Sequence, residues 1–129
     1  MRESYEDYLK TILLISKKNK GGWVSNYEIS ESLGIKPSSV TNMLYKLRKK
    51  SLINWSPRKP LRLTEKGKKI GEKTISKYNN LKEFFTNVLK IKDLELIEQL
   101  CCGIEHHITK EISKTLGNLT FDNTILLKN

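Results

Sequence analysis

The chain has 129 residues, of which 37% are hydrophobic, and carries a formal net charge of +10. That length allows one compact domain, or a small domain with a helical extension, and no apolar run approaches the ~20 residues that cross a bilayer. The opening "MRESYEDYLKT" is acidic and polar where a signal peptide would be basic and then apolar, so a soluble, cytoplasmic protein with an anionic partner is expected, nucleic acid before a membrane surface.

The first predicted helix covers Glu3 to Lys20, with apolar residues at Tyr5, Tyr8, Leu9, Ile12, Leu13 and Ile15. Its acidic start (Glu3, Glu6, Asp7) and lysine-rich end match the helix dipole, and "NKGG" stops it. Ser25, with Glu28 three residues later, reads as a capping box opening a short helix from Asn26 to Leu33, which Gly34 ends.

"GIKPSSVTNMLYKLRKKSLI" follows. Pro37 suits a first helical turn, and Val40, Met43, Leu44 and Leu47 form an apolar stripe at i, i+3, i+4 and i+7. Two short helices joined by a glycine turn, the second with a small, polar start, predict a helix-turn-helix. "SLINWSPRKPLRLT" then places two short strands, Leu52–Trp55 and Leu61–Leu63, around a basic, proline-stiffened tip, and Pro60 fits an edge position. Thr64 caps the next helix. The sequence therefore predicts a mainly α protein with a winged helix-turn-helix.

Beyond the wing, a helix is expected from Glu65 to about Leu89 and another from Leu94 to Leu116. Ile75, Tyr78, Leu81, Phe84, Phe85 and Val88 on the first, and Leu94, Ile97, Leu100, Cys101, Ile104, Ile108 and Ile112 on the second, exceed what two helices bury alone. A twofold homodimer is expected to cover part of this surface. The boundary is placed between residues 70 and 71: a DNA-binding domain over 1–70, a helical dimerisation and metal-binding domain over 71–129. The segment after Gly117 carries no clear signal.

"LCCGIEHHITKE" holds the candidate chemistry. The two cysteines are neighbours, with Cα atoms about 3.8 Å apart, too close for an ordinary disulfide, which fits a reducing compartment. On a helix Cys102, Glu105 and His106, spaced i, i+3 and i+4, share one face. The bland reading of a lone cysteine is a small buried hydrophobe; Cys101, about 100° around the helix, takes that reading, and His107 points off the site.

These landmarks carry a resemblance. "EDYLKTI", "KPSSVTNML", "LRLTEKGKKIG" and "GIEHH", in that order, make the chain similar to the metal-dependent repressors that include the diphtheria toxin repressor and the manganese transport regulator. The likeness runs from Tyr5 to about Leu116 and is to the short, two-domain branch, without an SH3-like domain. It implies a divalent metal corepressor and ligand positions at Asp7, Cys102, Glu105 and His106. The cysteine distinguishes the chain from manganese-type members, which carry glutamate at the Cys102 position. Those members also carry a ligating glutamate where this chain has Lys10, and the family's histidine on the connecting helix falls at Tyr78. One or two extra residues stand between Tyr78 and Cys102 relative to the family. Glu83 and Glu98 remain candidates for a secondary site.

Thiolate and imidazole beside carboxylate suit Fe(II) first and Zn(II) next, with Co(II), Ni(II) and Mn(II) open. Asp7 has an alternative explanation, since acidic residues belong in a first helical turn. At the DNA interface, Lys36, Ser38, Ser39, Thr41 and Asn42 are placed for base reading, with Pro37 at the helix start, while Lys46 and the wing residues Arg58 and Lys59 are placed for phosphates. Ser38, Ser39 and Thr41 also suit a plain helix start. The expected function is a metal-dependent regulator binding a palindromic double-stranded operator and repressing iron or manganese uptake genes. The alternatives are a metal-independent winged-helix regulator and a small metal-dependent hydrolase. Against the last, the chain has no nucleophile paired with a base and no phosphate-binding glycine loop.

Overall fold

A computed structural model describes residues 4–104 and 107–128, with side chains to residue 119. Helix α1 spans Tyr5–Lys18. It starts after Ser4, whose hydroxyl accepts the Asp7 N–H at 3.2 Å while the Asp7 carboxylate accepts the Ser4 N–H at 3.3 Å, so the capping box starts the helix at Tyr5 rather than at Glu3. It buries Tyr8, Leu9, Thr11, Ile12 and Leu13.

Helix α2 covers Asn26–Leu33 and α3 covers Pro37–Lys49. The expected capping box of α2 is present, with Ser25 Oγ accepting the Glu28 N–H at 3.1 Å. Gly34, at φ +65°, supplies the left-handed turn into α3. The α3 stripe is buried at Val40, Leu44 and Leu47, which leaves the opposite side of that helix to solvent.

The wing is formed by β1, Ile53–Asn54, antiparallel to β2, Arg62–Leu63, with Ile53 opposite Leu63 and Asn54 opposite Arg62. Val24 adds a third, isolated bridge to Leu61 through two backbone bonds of 2.9 and 2.8 Å. Helix α4, Glu65–Glu83, opens on the Thr64 hydroxyl, which accepts the Gly67 N–H at 3.1 Å and donates to Ser51 O at 2.8 Å. Gly67 is required there: a Cβ would lie 2.1 Å from Leu52 O. Residues Met1–Lys73 form one compact unit and Thr74–Asn129 another, and α4 runs through the division.

The second unit departs from expectation twice. The long helix continues past Glu83 as a π turn, Phe84–Val88, closed by a Leu89 N–H to Phe84 O bond of 3.0 Å. The single helix expected over Leu94–Leu116 is instead α5, Leu94–Ile104, and α6, Lys110–Lys128. Side-chain caps start both: Asp93 Oδ1 accepts the N–H groups of Glu95 and Leu96 at 3.1 and 3.2 Å, and Thr109 Oγ1 accepts that of Ile112 at 3.2 Å. The core here is Leu81, Phe85, Ile97 and Cys101, with Tyr78, Phe84, Ile91, Leu100, Ile108 and Leu116 packed on it. Leu89, Leu94, Leu96, Ile104, Ile112 and Leu119 stay exposed. Among the described residues no helix is long and apolar enough to cross a membrane.

Candidate functional site

At the start of α3 the side chains of Lys36, Pro37, Ser38, Ser39 and Asn42 are exposed, as is Lys46 two turns on. Thr41 differs from its neighbours. Its hydroxyl donates to Pro37 O at 3.0 Å and accepts from Asn26 Nδ2 at 2.8 Å, so it is engaged in joining α2 to α3. Asn26 Oδ1 is buried without a hydrogen-bond partner among the described residues.

Arg58 and Lys59 are exposed at the wing tip, and Arg58 takes a left-handed backbone, φ +67°. Between wing and α3 lies an open cleft of about 670 Å³, lined by residues that include Tyr27, Thr41, Tyr45, Trp55, Pro57 and Arg58. Tyr45 and Trp55 meet edge to face at 4.9 Å, and the Arg48 guanidinium lies over both rings at 5.2 and 5.4 Å. Arg48 thus braces the base of the wing against α3, each ring contact contributing roughly 0.5–1 kcal/mol at such an exposed site. Lys50 lies 4.8 Å from the Tyr5 ring. Of the basic run Lys46–Arg48–Lys49–Lys50, then, two members have aromatic partners within the protein. Tyr27 was not anticipated from the sequence. It is 67% exposed in the cleft lining, and Glu31, by hydrogen bond and by charge, pushes its phenol above the usual range.

The surface offered by this arrangement is cationic, polar at one helix end and flanked by a basic hairpin. Lysine and arginine there suit phosphates, and the polar helix start suits base edges.

In the second unit Cys101 is fully buried, as expected, and His107 is exposed. Cys102 is exposed near the end of α5, and its thiol donates to Glu98 Oε1 at 3.5 Å. The other oxygen of Glu98 accepts a hydrogen bond from the Tyr78 hydroxyl of α4. Glu105 and His106 lie outside the described residues. Asp7 belongs to the first unit, where its carboxylate takes part in the α1 capping box. Glu83 is exposed. Among the described residues no three His, Cys, Asp or Glu side chains converge. A thiol next to a carboxylate on one exposed helix face is nonetheless a donor pair that fits a borderline divalent metal.

Comparison with known proteins covers both units. Residues 1–61 match the family model described as iron dependent repressor, N-terminal DNA binding domain, and residues 64–122 match iron dependent repressor, metal binding and dimerisation domain. An uncharacterised HTH-type transcriptional regulator of Methanocaldococcus jannaschii is 35% identical over 90% of this chain and 91% of its own length. Among solved structures, IdeR of T. acidophilum aligns at 27% identity with a TM-score of 0.73, over 90% of this chain and 53% of that one. ScaR with bound Zn2+ aligns at 26% identity with a TM-score of 0.75, over 91% of this chain and 53% of that one. The chain spans about half the length of these two solved relatives. With both family domains matched in order and a relative similar over nearly its whole length, the chain belongs to the iron-dependent repressor family, metal-dependent DNA-binding regulators of transcription.

Proposed function

We propose that the protein represses transcription as a homodimer whose grip on a palindromic operator depends on a divalent transition metal. One observation carries the metal half of this reading: Cys102, exposed and 3.5 Å from a carboxylate, within the segment matched by the family's metal-binding domain. Asp7, Cys102, Glu105 and His106 would supply the ligands. The bound metal would contribute positive charge and a fixed geometry among side chains distant in sequence. Thiolate and imidazole in that set favour Fe(II), with Zn(II) next; Mn(II), with weaker affinity for such donors, ranks below them. Lys10 supports the same order, because a protonated ammonium has no lone pair to offer a second ion.

Exposed Leu89, Leu94, Leu96, Ile104 and Ile112 support a dimer, since large apolar side chains in one segment favour burial against a second copy. Lys36, Pro37, Ser38, Ser39, Asn42, Lys46, Arg58 and Lys59 form the DNA-facing set, and Thr41 supports it through the α2–α3 contact. Regulated genes for iron or manganese uptake and a cytoplasmic location follow from this reading. The deciding experiment is operator binding with and without Fe(II), anaerobically, in the parent, Cys102→Ala and His106→Ala. Metal stimulation in the parent and none in the variants is expected, with dimer and fold retained. Equal stimulation in all three would remove these residues from the site.

A further inference from the structure

The sequence leaves Glu98 as a candidate for a separate, secondary site, but the geometry around it leads elsewhere. Glu98 Oε1 and Cys102 Sγ are 3.5 Å apart, one helical turn from each other on the exposed face of α5. A tetrahedral ion about 2.3 Å from a thiolate sulfur and about 2.0–2.2 Å from a carboxylate oxygen holds those two atoms about 3.5–3.7 Å apart. The pair therefore stands at the separation of two corners of one coordination sphere, with a proton where the ion would be. Loss of that proton on metal binding would replace the S–H···O contact by two metal bonds without moving either side chain far.

Tyr78 completes the arrangement. An exposed glutamate normally samples many rotamers, and freezing one opposes binding through lost side-chain entropy. Here the Tyr78 hydroxyl, presented from α4, donates to the second oxygen of Glu98 and leaves Oε1 directed at the sulfur. This is the role outer hydrogen bonds play around metal-bound carboxylates, where they set orientation and basicity. We infer that Glu98 ligates the same ion as Cys102, with Tyr78 as its positioning residue. The inference rests on Cys102 being a metal ligand, as proposed above. It has a structural consequence inside the second unit: metal capture by α5 is tied through one hydrogen bond to α4.

The test is titration of the reduced, full-length protein with Co(II) under anaerobic conditions, followed by absorption. The parent should show a thiolate-to-cobalt charge-transfer band and intense visible d–d bands of a four-coordinate ion. Glu98→Gln keeps the side-chain shape and an acceptor for Tyr78 but loses the anionic donor; it should retain the charge-transfer band, change the d–d spectrum and weaken Co(II) binding by about 100-fold. Tyr78→Phe should weaken it by about 10-fold, the lower end of what outer-sphere losses cost elsewhere, whereas loss of the direct donor at Glu98 should reach at least the upper end of about 100-fold. Both changes sit on exposed or half-buried side chains, and circular dichroism checks that the helices persist. If the parent lacks the charge-transfer band, Cys102 is no ligand and both readings fall. If the band is present and Glu98→Gln matches the parent in spectrum and affinity, the role of Glu98 is overturned while that of Cys102 stands. If only Tyr78→Phe matches the parent, Tyr78 is removed and Glu98 remains.

Discussion

The Asn26 amide donates to the Thr41 hydroxyl at 2.8 Å, and this bond ties the first residue of α2 to the first turns of α3. The same hydroxyl donates to Pro37 O, so one threonine fixes both the entry of the recognition helix and its distance from α2. Thr41→Val keeps the shape and removes both bonds. It should cost about 0.5–1.5 kcal/mol, because the Asn26 amide loses a part-buried partner and keeps only the longer bond to Pro37 O at 3.4 Å. Chemical denaturation measures the loss. Operator affinity should fall further than that of Ser38→Ala, if pre-positioning the helix matters more than one polar contact.

Gly67 and Gly71 give a graded pair. An added Cβ at Gly67 would meet backbone, Leu52 O at 2.1 Å, which must move. At Gly71 it would meet Leu9 O at 3.0 Å and the flexible Leu13 side chain at 3.2 Å. Gly67→Ala is therefore expected to destabilise by about 3 kcal/mol or more, and Gly71→Ala by about 1 kcal/mol. Comparable melting temperatures for the two variants would mean that α4 does not seat on the wing and on α1 through these two glycines.

Glu28 should show a pH signature. Its carboxylate accepts from Asn19 Nδ2 at 2.8 Å and from the Ser25 N–H at 3.0 Å, and the Asn19 bond chiefly holds its pKa below the usual carboxylate range. A lowered folded pKa gives stability that is complete above the unfolded value and lost as pH falls through the folded one. Glu28→Ala should thus melt below the parent at pH 7, with the gap narrowing as the solution is acidified into the carboxylate range. A gap that is constant with pH would mean that packing, not charge, accounts for the effect.

Salt dependence separates the basic residues. Arg58 and Lys59 are exposed at the wing tip, whereas Arg48 lies over Tyr45 and Trp55. Replacing a phosphate-binding residue by alanine should flatten the slope of log affinity against log salt by about 0.9 for each phosphate that is no longer neutralised. Arg58→Ala and Lys59→Ala are expected to do so. Arg48→Ala should instead lower thermal stability and leave the slope nearly unchanged.

The first unit was largely legible because its signals are local and redundant. Ser25 with Glu28, Gly34, Pro37 and Thr64 each mark an element end by its own chemistry, and the stripe Val40, Leu44, Leu47 agrees with them. The division into α5 and α6 was not, because Ile104, Ile108 and Ile112 keep a four-residue spacing across it. Hydrophobic period alone sees a continuous helix there. The available signal was Thr109 followed by Lys110 and Glu111, a cap before an acidic first turn. The hydrogen bonds joining Glu98, Cys102 and Tyr78 needed three dimensions: Tyr78 lies on a different helix, 20 positions from Glu98 in sequence.

The π turn at Phe84–Val88 bears on how lengths are compared in this part of the chain. A turn closing on its fifth neighbour, as Leu89 does on Phe84, encloses one residue more than the fourth-neighbour closure of an α-helix. It behaves as a slack loop in a rope: a surplus residue is stored locally while the strands on either side keep their lay. The chain between Tyr78 and Cys102 is thereby one residue longer than a purely α-helical path over the same turn. Excision of exposed Thr86 would let the turn close on its fourth neighbour.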